Sequence, residues 1–203
     1  MNTSKLETLL DNLDGSRERL LVALELLPDE ALLVKNVAGD WSVADLLAIL
    51  TAWEAELVTG LMRLAQGKKP ERLLRALADP QAYNAQVYDE NQGRDLDQIF
   101  DDFQRVRVQV EEWLEHFSEG DLTNPKRYAS LRGRALSEIV ARATFEHEAS
   151  YLEQLGAFSQ AWLDDEPDAS PLLIPLTAVD ALPPTPESDP FGEETPHDDH
   201  PTN

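Results

Sequence analysis

The 203-residue chain contains no cysteine. That excludes disulfides, thiolate nucleophiles and Cys-ligated zinc or iron–sulfur centres, and leaves His and carboxylates as the side chains able to hold a metal. Basic residues are also scarce, 17 Lys and Arg against 39 Asp and Glu, for a formal charge of −22. Such a surface repels a phosphate backbone, so nucleic acid is not expected as a partner. No apolar run approaches the roughly 18 residues of a membrane span, and the N-terminal "MNTSKLETLL" lacks a basic and then apolar leader, so the expectation is a cytoplasmic protein with no membrane partner. Strand alternation with hairpin signals is missing too, as are a Gly-rich phosphate loop, a Gly-x-Ser-x-Gly elbow and a His-Glu-x-x-His pair.

What the chain has is helical periodicity over residues 1–164. "SKLETLLDNLDGSRERLLVALELL" opens on the capping-box pair Ser4 and Glu7 and gathers Leu6, Leu9, Leu10, Leu13, Leu20 and Leu24 on one face. Gly15 interrupts it and marks a candidate kink. "DWSVADLLAILTAWEAELVTGLMRLAQGKK" starts at Ser42 with Asp45, carries Leu46, Leu50, Trp53, Leu57, Leu61 and Leu64, and stops at Gly67. "PERLLRALADP" reads as a connector with a helical turn, and "QAYNAQVYDEN" as a further helical segment. Asp95 with Gln98 is the cap of a third long helix with the stripe Ile99, Phe103, Val106, Val110, Trp113 and Phe117. The segment "EGDLTNPKRYASLRGR" reads as a loop before one last long helix, "ALSEIVARATFEHEASYLEQLGAFSQAWL". Four helices of about 22 to 28 residues predict an all-α four-helix bundle. The long link between the second and third requires a crossover.

From residue 165 onward the composition changes to ten acidic residues, nine of the thirteen prolines and no Lys or Arg. This 165–203 segment is an acidic, Pro-rich tail, in which "PLLIPLTAVDALPP" is apolar enough to dock and the remainder has nothing to bury. His197 and His200 beside Asp198 and Asp199 read as part of that solvated run.

"GDWSVADLLAILTAWEAELV", "AYNAQVYDENQGRDLDQIFDDF" and "TFEHEASYLEQL" together resemble the DinB-like four-helix bundle superfamily, and within it the ClbS/DfsB family, over residues 4–160. The resemblance implies three metal-binding histidines in many members. Here those positions hold Ile49, His147 and Tyr151, so no divalent metal or other cofactor is expected.

His147 and Tyr151 lie one turn apart with Thr144 and Gln154 flanking them, and the family architecture implies that Trp53 and Asn84 line a cavity nearby. A lone His on an apolar face is also a common structural residue. The Tyr83, Asn84 and Tyr88 segment either lines that pocket or pins the crossover, and Glu54 and Glu56, on different faces, should leave at least one in solvent. His116 reads as a cation at the end of the third helix.

The ClbS/DfsB resemblance implies a protective role: a small, reactive organic molecule is bound, then hydrolysed or sequestered. His147 would be the general base, with a pKa near the working pH, and Tyr151 or Tyr88 a hydrogen-bond donor. The alternatives are a non-catalytic interaction bundle, whose tail engages a partner or a second copy in a homodimer, and a thiol-dependent transferase of the superfamily.

Overall fold

A computed structural model of the chain describes residues 4–165. The acidic tail, with the docking expected of residues 171–184 and the histidines of "PHDDHP", lies outside the described residues apart from Asp165.

The first long helix, α1 (Lys5–Leu24), starts from a capping box in which the Ser4 hydroxyl accepts from the Glu7 N–H and the Glu7 carboxylate accepts from the Ser4 N–H. It runs through Gly15 without ending. After the short α2 (Asp29–Leu32), α3 (Val43–Ala65) opens from the Ser42 and Asp45 box. It ends where Gly67 takes φ +70°, with Gly67 N–H donating to Leu64 O at 2.9 Å and Lys68 N–H to Arg63 O at 2.8 Å. The crossover holds two helices, α4 (Glu71–Ala78) and α5 (Pro80–Glu90). Close approach of α4 to α3 depends on Gly60, where an added Cβ would stand 2.6 Å from Leu73 Cδ2.

α6 (Leu96–Leu114) is capped by the Asp95 carboxylate, which accepts from Asp97 N–H; Gln98 closes no box with it. Trp113 is only partly buried and Leu114 takes its place in the core, because the stripe drifts around the helix toward its end. The expected loop is more ordered than its composition implied: Ser118 and Asp121 cap α7 (Glu119–Thr123), and a 3₁₀ turn covers Ala129–Leu131.

The last helix is three pieces, α8 (Leu136–Ala143), α9 (Phe145–Ala149) and α10 (Leu152–Asp165). Thr144 and Ser150 break it. The Thr144 hydroxyl donates back to Val140 O at 2.7 Å and the Ser150 hydroxyl to His147 O at 2.6 Å, the side-chain competition that bends helices.

α1, α3, α6 and the α8–α10 line form the bundle, with α3 packing most extensively on α6 and α1 lying along α8, α9 and α10. The described residues contain no β-strand; a single isolated bridge joins Ala38 and Trp41. No helix among them is long and apolar enough to cross a membrane.

The core has two apolar parts. Leu13, Leu57 and Val110 belong to one, and Leu20, Leu50 and Phe103 to the other. On α1, α3 and α6 the residue between them is charged: Arg17, Glu54 and Arg107.

Candidate functional site

Arg17, Glu54, Arg107 and Glu148 meet at the boundary between those two parts, one from each line of the bundle. Glu54 and Glu148 are 1% and 0% exposed, so neither carboxylate can be solvated and each depends on guanidinium donors. Arg17 donates from Nε to Glu148 Oε1 at 3.0 Å, from Nη2 to Glu54 Oε1 at 3.0 Å and from Nη1 to the Phe103 carbonyl at 2.9 Å. Arg107 donates to both Glu54 oxygens, to Glu148 Oε1 at 2.7 Å and to Leu13 O at 2.7 Å. The Arg17 guanidinium also stacks 3.5 Å over the Phe103 ring. Two cations and two anions balance, and main-chain carbonyls of α1 and α6 take the remaining donors.

This knot went unrecognised in the sequence, although it has a signal there. Arg17 stands between Leu13 and Leu20, Glu54 between Leu50 and Leu57, and Arg107 between Phe103 and Val110, each at core spacing on its helix. The expectation of a solvated Glu54 or Glu56 fails for both. Glu56, 6% exposed, lies under α4, pairs with Arg72 at 3.3 Å and accepts the Leu73 N–H; burial raises its pKa against the pull of Arg72 and Arg75.

A neutral polar chain runs beside the knot through the sequence neighbours of Glu54 and Glu148. Trp53 Nε1–H donates to Asn84 Oδ1 at 2.7 Å, and because an indole only donates, the Asn84 oxygen must face it. Asn84 Nδ2–H then donates to Tyr151 Oη at 3.4 Å, and Tyr151 Oη lies 3.3 Å from His147 Nε2. Trp53 holds the His147 ring edge to face at 5.2 Å, and Tyr83 packs on Trp53 at 4.9 Å while donating to Ala52 O at 3.1 Å. The Nδ1 of His147 is buried with no partner among the described residues. A pocket of about 210 Å³ opens here, lined by Trp53, Leu77, Pro80 and Ser150 with His147 and by the charged residues Arg142 and Glu146.

Burial lowers the His147 pKa to about 4, only partly opposed by the Glu148 carboxylate. The imidazole is neutral at ordinary pH, in contrast to the expected pKa near the working pH, because burial strips water from the charged form and no carboxylate hydrogen-bonds to it. Burial also raises Tyr151, against the Asn84 hydrogen bond, and Tyr83 to about 12, so both phenols stay protonated.

His147, Tyr151, Trp53 and Asn84 therefore come together. Ile49 is wholly buried in the same apolar cluster as Trp53. Thr144, 1% exposed, spends its hydroxyl on its own helix. Gln154 is exposed, because the break at Ser150 and Tyr151 turns α10 so that Leu155 faces inward. Tyr88 joins a different group, 6.3 Å from the Trp41 ring with Lys35 Nζ at 3.5 Å from its hydroxyl. His116, two residues past the end of α6, rests its Nδ1 on Glu112 O at 2.9 Å and its ring on Trp113.

At the three positions where the resemblance implies metal ligands, this chain has one imidazole, one protonated phenol and one isoleucine, a single strong donor. Among the described residues no cluster of three or more His, Asp or Glu is arranged to hold one.

Comparison with known proteins agrees with this architecture. No curated protein matches the chain. A solved structure of an uncharacterised protein from Escherichia coli UTI89 superposes with a TM-score of 0.61 at 17% identity, covering 82% of this chain and 96% of that one, a likeness of fold. The family model of the DinB superfamily matches residues 12–155, which span all four lines of the bundle and every residue of the knot and the polar chain, and the chain belongs to that superfamily.

Proposed function

We propose that this DinB-superfamily bundle works in the manner of the ClbS/DfsB family, taking a small, reactive and uncharged organic molecule into the pocket beside His147 and hydrolysing it without a metal. The observation that carries the reading is the unpartnered Nδ1 of a neutral imidazole, at a histidine whose other nitrogen is already held by Tyr151. A buried polar atom left without a partner costs about 1 to 3 kcal/mol, a cost that a bound molecule or water at the site would relieve.

In the tautomer protonated on Nε2, His147 donates to Tyr151 and keeps a lone pair on the buried Nδ1, which in this reading a shift of the pocket wall exposes to water. A water bound there would lose its proton to Nδ1 as its oxygen attacks the electrophilic carbon, and the imidazolium would return the proton to the leaving atom. A base with a pKa of about 4 is weak but never blocked by protonation at neutral pH, which suits a strained electrophile needing little activation. In the other tautomer Tyr151 donates to Nε2 and Nδ1 carries the hydrogen, an arrangement for holding an acceptor on the molecule rather than for removing a proton.

The test is hydrolysis of a panel of strained electrophiles by the full-length protein and by His147→Gln. A loss of about 10²- to 10⁴-fold is expected. Unchanged turnover in the variant would sink the reading.

A further inference from the structure

The cations of this acidic chain are unevenly used. Arg17, Lys35, Arg72, Arg94, Arg105, Arg107 and Arg127 are each paired with a carboxylate. The other ten of the 17 are not, among the described residues, and four of these, Lys69, Arg75, Arg132 and Arg134, line one concavity of about 320 Å³ between α4 and the turn after the 3₁₀ segment. Among the described residues Glu71 is the only carboxylate on its wall. Gathering four like charges against a single acid is unfavourable, and the packing of the bundle does not demand it, since Lys69, Arg75 and Arg132 are exposed.

The backbone places two of these cations. Arg132 sits at φ 54° and ψ 45°, a left-handed conformation that costs a residue with a Cβ about 1 to 2 kcal/mol, and Gly133 follows at φ 80°. The turn is closed by Arg134 N–H donating to Leu131 O at 3.2 Å. Its result is that Arg132 and Arg134, two residues apart, both reach the same concavity, with Arg75 and Lys69 opposite.

We infer that this concavity is a binding site for a compact anion carrying two or more negative charges, of the phosphate or polycarboxylate class. The guanidinium forks of Arg75, Arg132 and Arg134 supply paired donors matched to such oxygens, and Lys69 adds a point charge. The volume falls at the lower end of the small-ligand range of about 300 to 1,000 Å³. The site is independent of the reading of His147. It also reverses, at one place, the repulsion that the overall charge of −22 exerts on anions.

The test is a calorimetric titration of inorganic pyrophosphate into the full-length protein, in metal-free buffer at low salt. Wild type is expected to saturate one site at sub-millimolar concentration. The double variant Arg132→Gln with Arg134→Gln should bind at least about tenfold more weakly, while Arg105→Gln, which removes an exposed charge on α6, should bind like wild type. No saturable binding, or an equal weakening by Arg105→Gln, overturns the inference. A third variant keeps the whole chain but converts the acidic residues from Glu187 to Asp199 to their amides. Binding seen only there would mean that the chain's own acidic segment fills the site, which overturns it as a site for a free anion.

Discussion

Two polar assemblies cross this bundle side by side, and consecutive residues feed them. Glu54 and Glu148 enter the charged knot, while Trp53 and His147, their immediate neighbours in sequence, enter the neutral chain. The knot balances its charge internally and spends guanidinium donors even on the Phe103 and Leu13 carbonyls; its one idle atom is Glu148 Oε2. The neutral chain is built of longer contacts and ends at the buried, unpartnered nitrogen of a histidine that lines a pocket. The difference separates two uses of buried polarity. A charge-balanced network with one idle oxygen fixes how four helices register, whereas the neutral one leaves unpartnered a nitrogen of a histidine that lines a pocket.

The sharpest way to break the contrast is to remove one member of the knot. Glu54→Gln should destabilise the fold by about 3 to 5 kcal/mol in urea unfolding, because two guanidinium groups then share one carboxylate in a buried site. Replacing all four charges by Met or Leu together should recover most of that loss. If the single substitution cost under about 1 kcal/mol, the knot would not be setting the register of the helices.

Next in size is the pH dependence of stability. Below about pH 6.5 the unfolded chain protonates this imidazole, while the folded chain resists until about pH 4. Stability from this group is therefore present above pH 6.5 and lost as pH falls through that window, by up to about 3 kcal/mol. In His147→Phe this component should vanish, read as a flatter plot of unfolding free energy against pH. For any hydrolysis that depends on His147, the same pKa puts the acid limb of the rate profile near pH 4 and leaves the rate level across neutral pH.

Gly60→Ala tests packing away from both assemblies. Its Cβ would stand 2.6 Å from Leu73 Cδ2, and the buried Leu73 side chain must move, for a loss of about 1 to 3 kcal/mol in thermal or urea unfolding. The smallest effect is expected from Tyr151→Phe. It removes the link between Asn84 and His147 and leaves both without that partner, at about 1 kcal/mol, with the knot intact. A loss as large as that of Glu54→Gln would mean that the neutral chain, too, is a structural network.

The sequence by itself determined what depends on neighbours along the chain. Ser4 with Glu7 and Ser42 with Asp45 start helices, Gly67 stops one, and leucines at helical spacing define the inward faces, because capping, left-handed backbone and amphipathic periodicity all act within a few residues. His147 and Tyr151 were legible as a pair for the same reason. Tertiary structure alone decided the rest. Arg17, Glu54, Arg107 and Glu148 are far apart in sequence, and a charge at a core position reads as an error until its counter-charge arrives from another helix. The break at Thr144 and Ser150 turns Gln154 outward, and the depth of burial that lowers His147 comes from Trp53 and its neighbours on other helices. Those outcomes rest on desolvation and on contacts across the bundle, which exist only once the helices have packed.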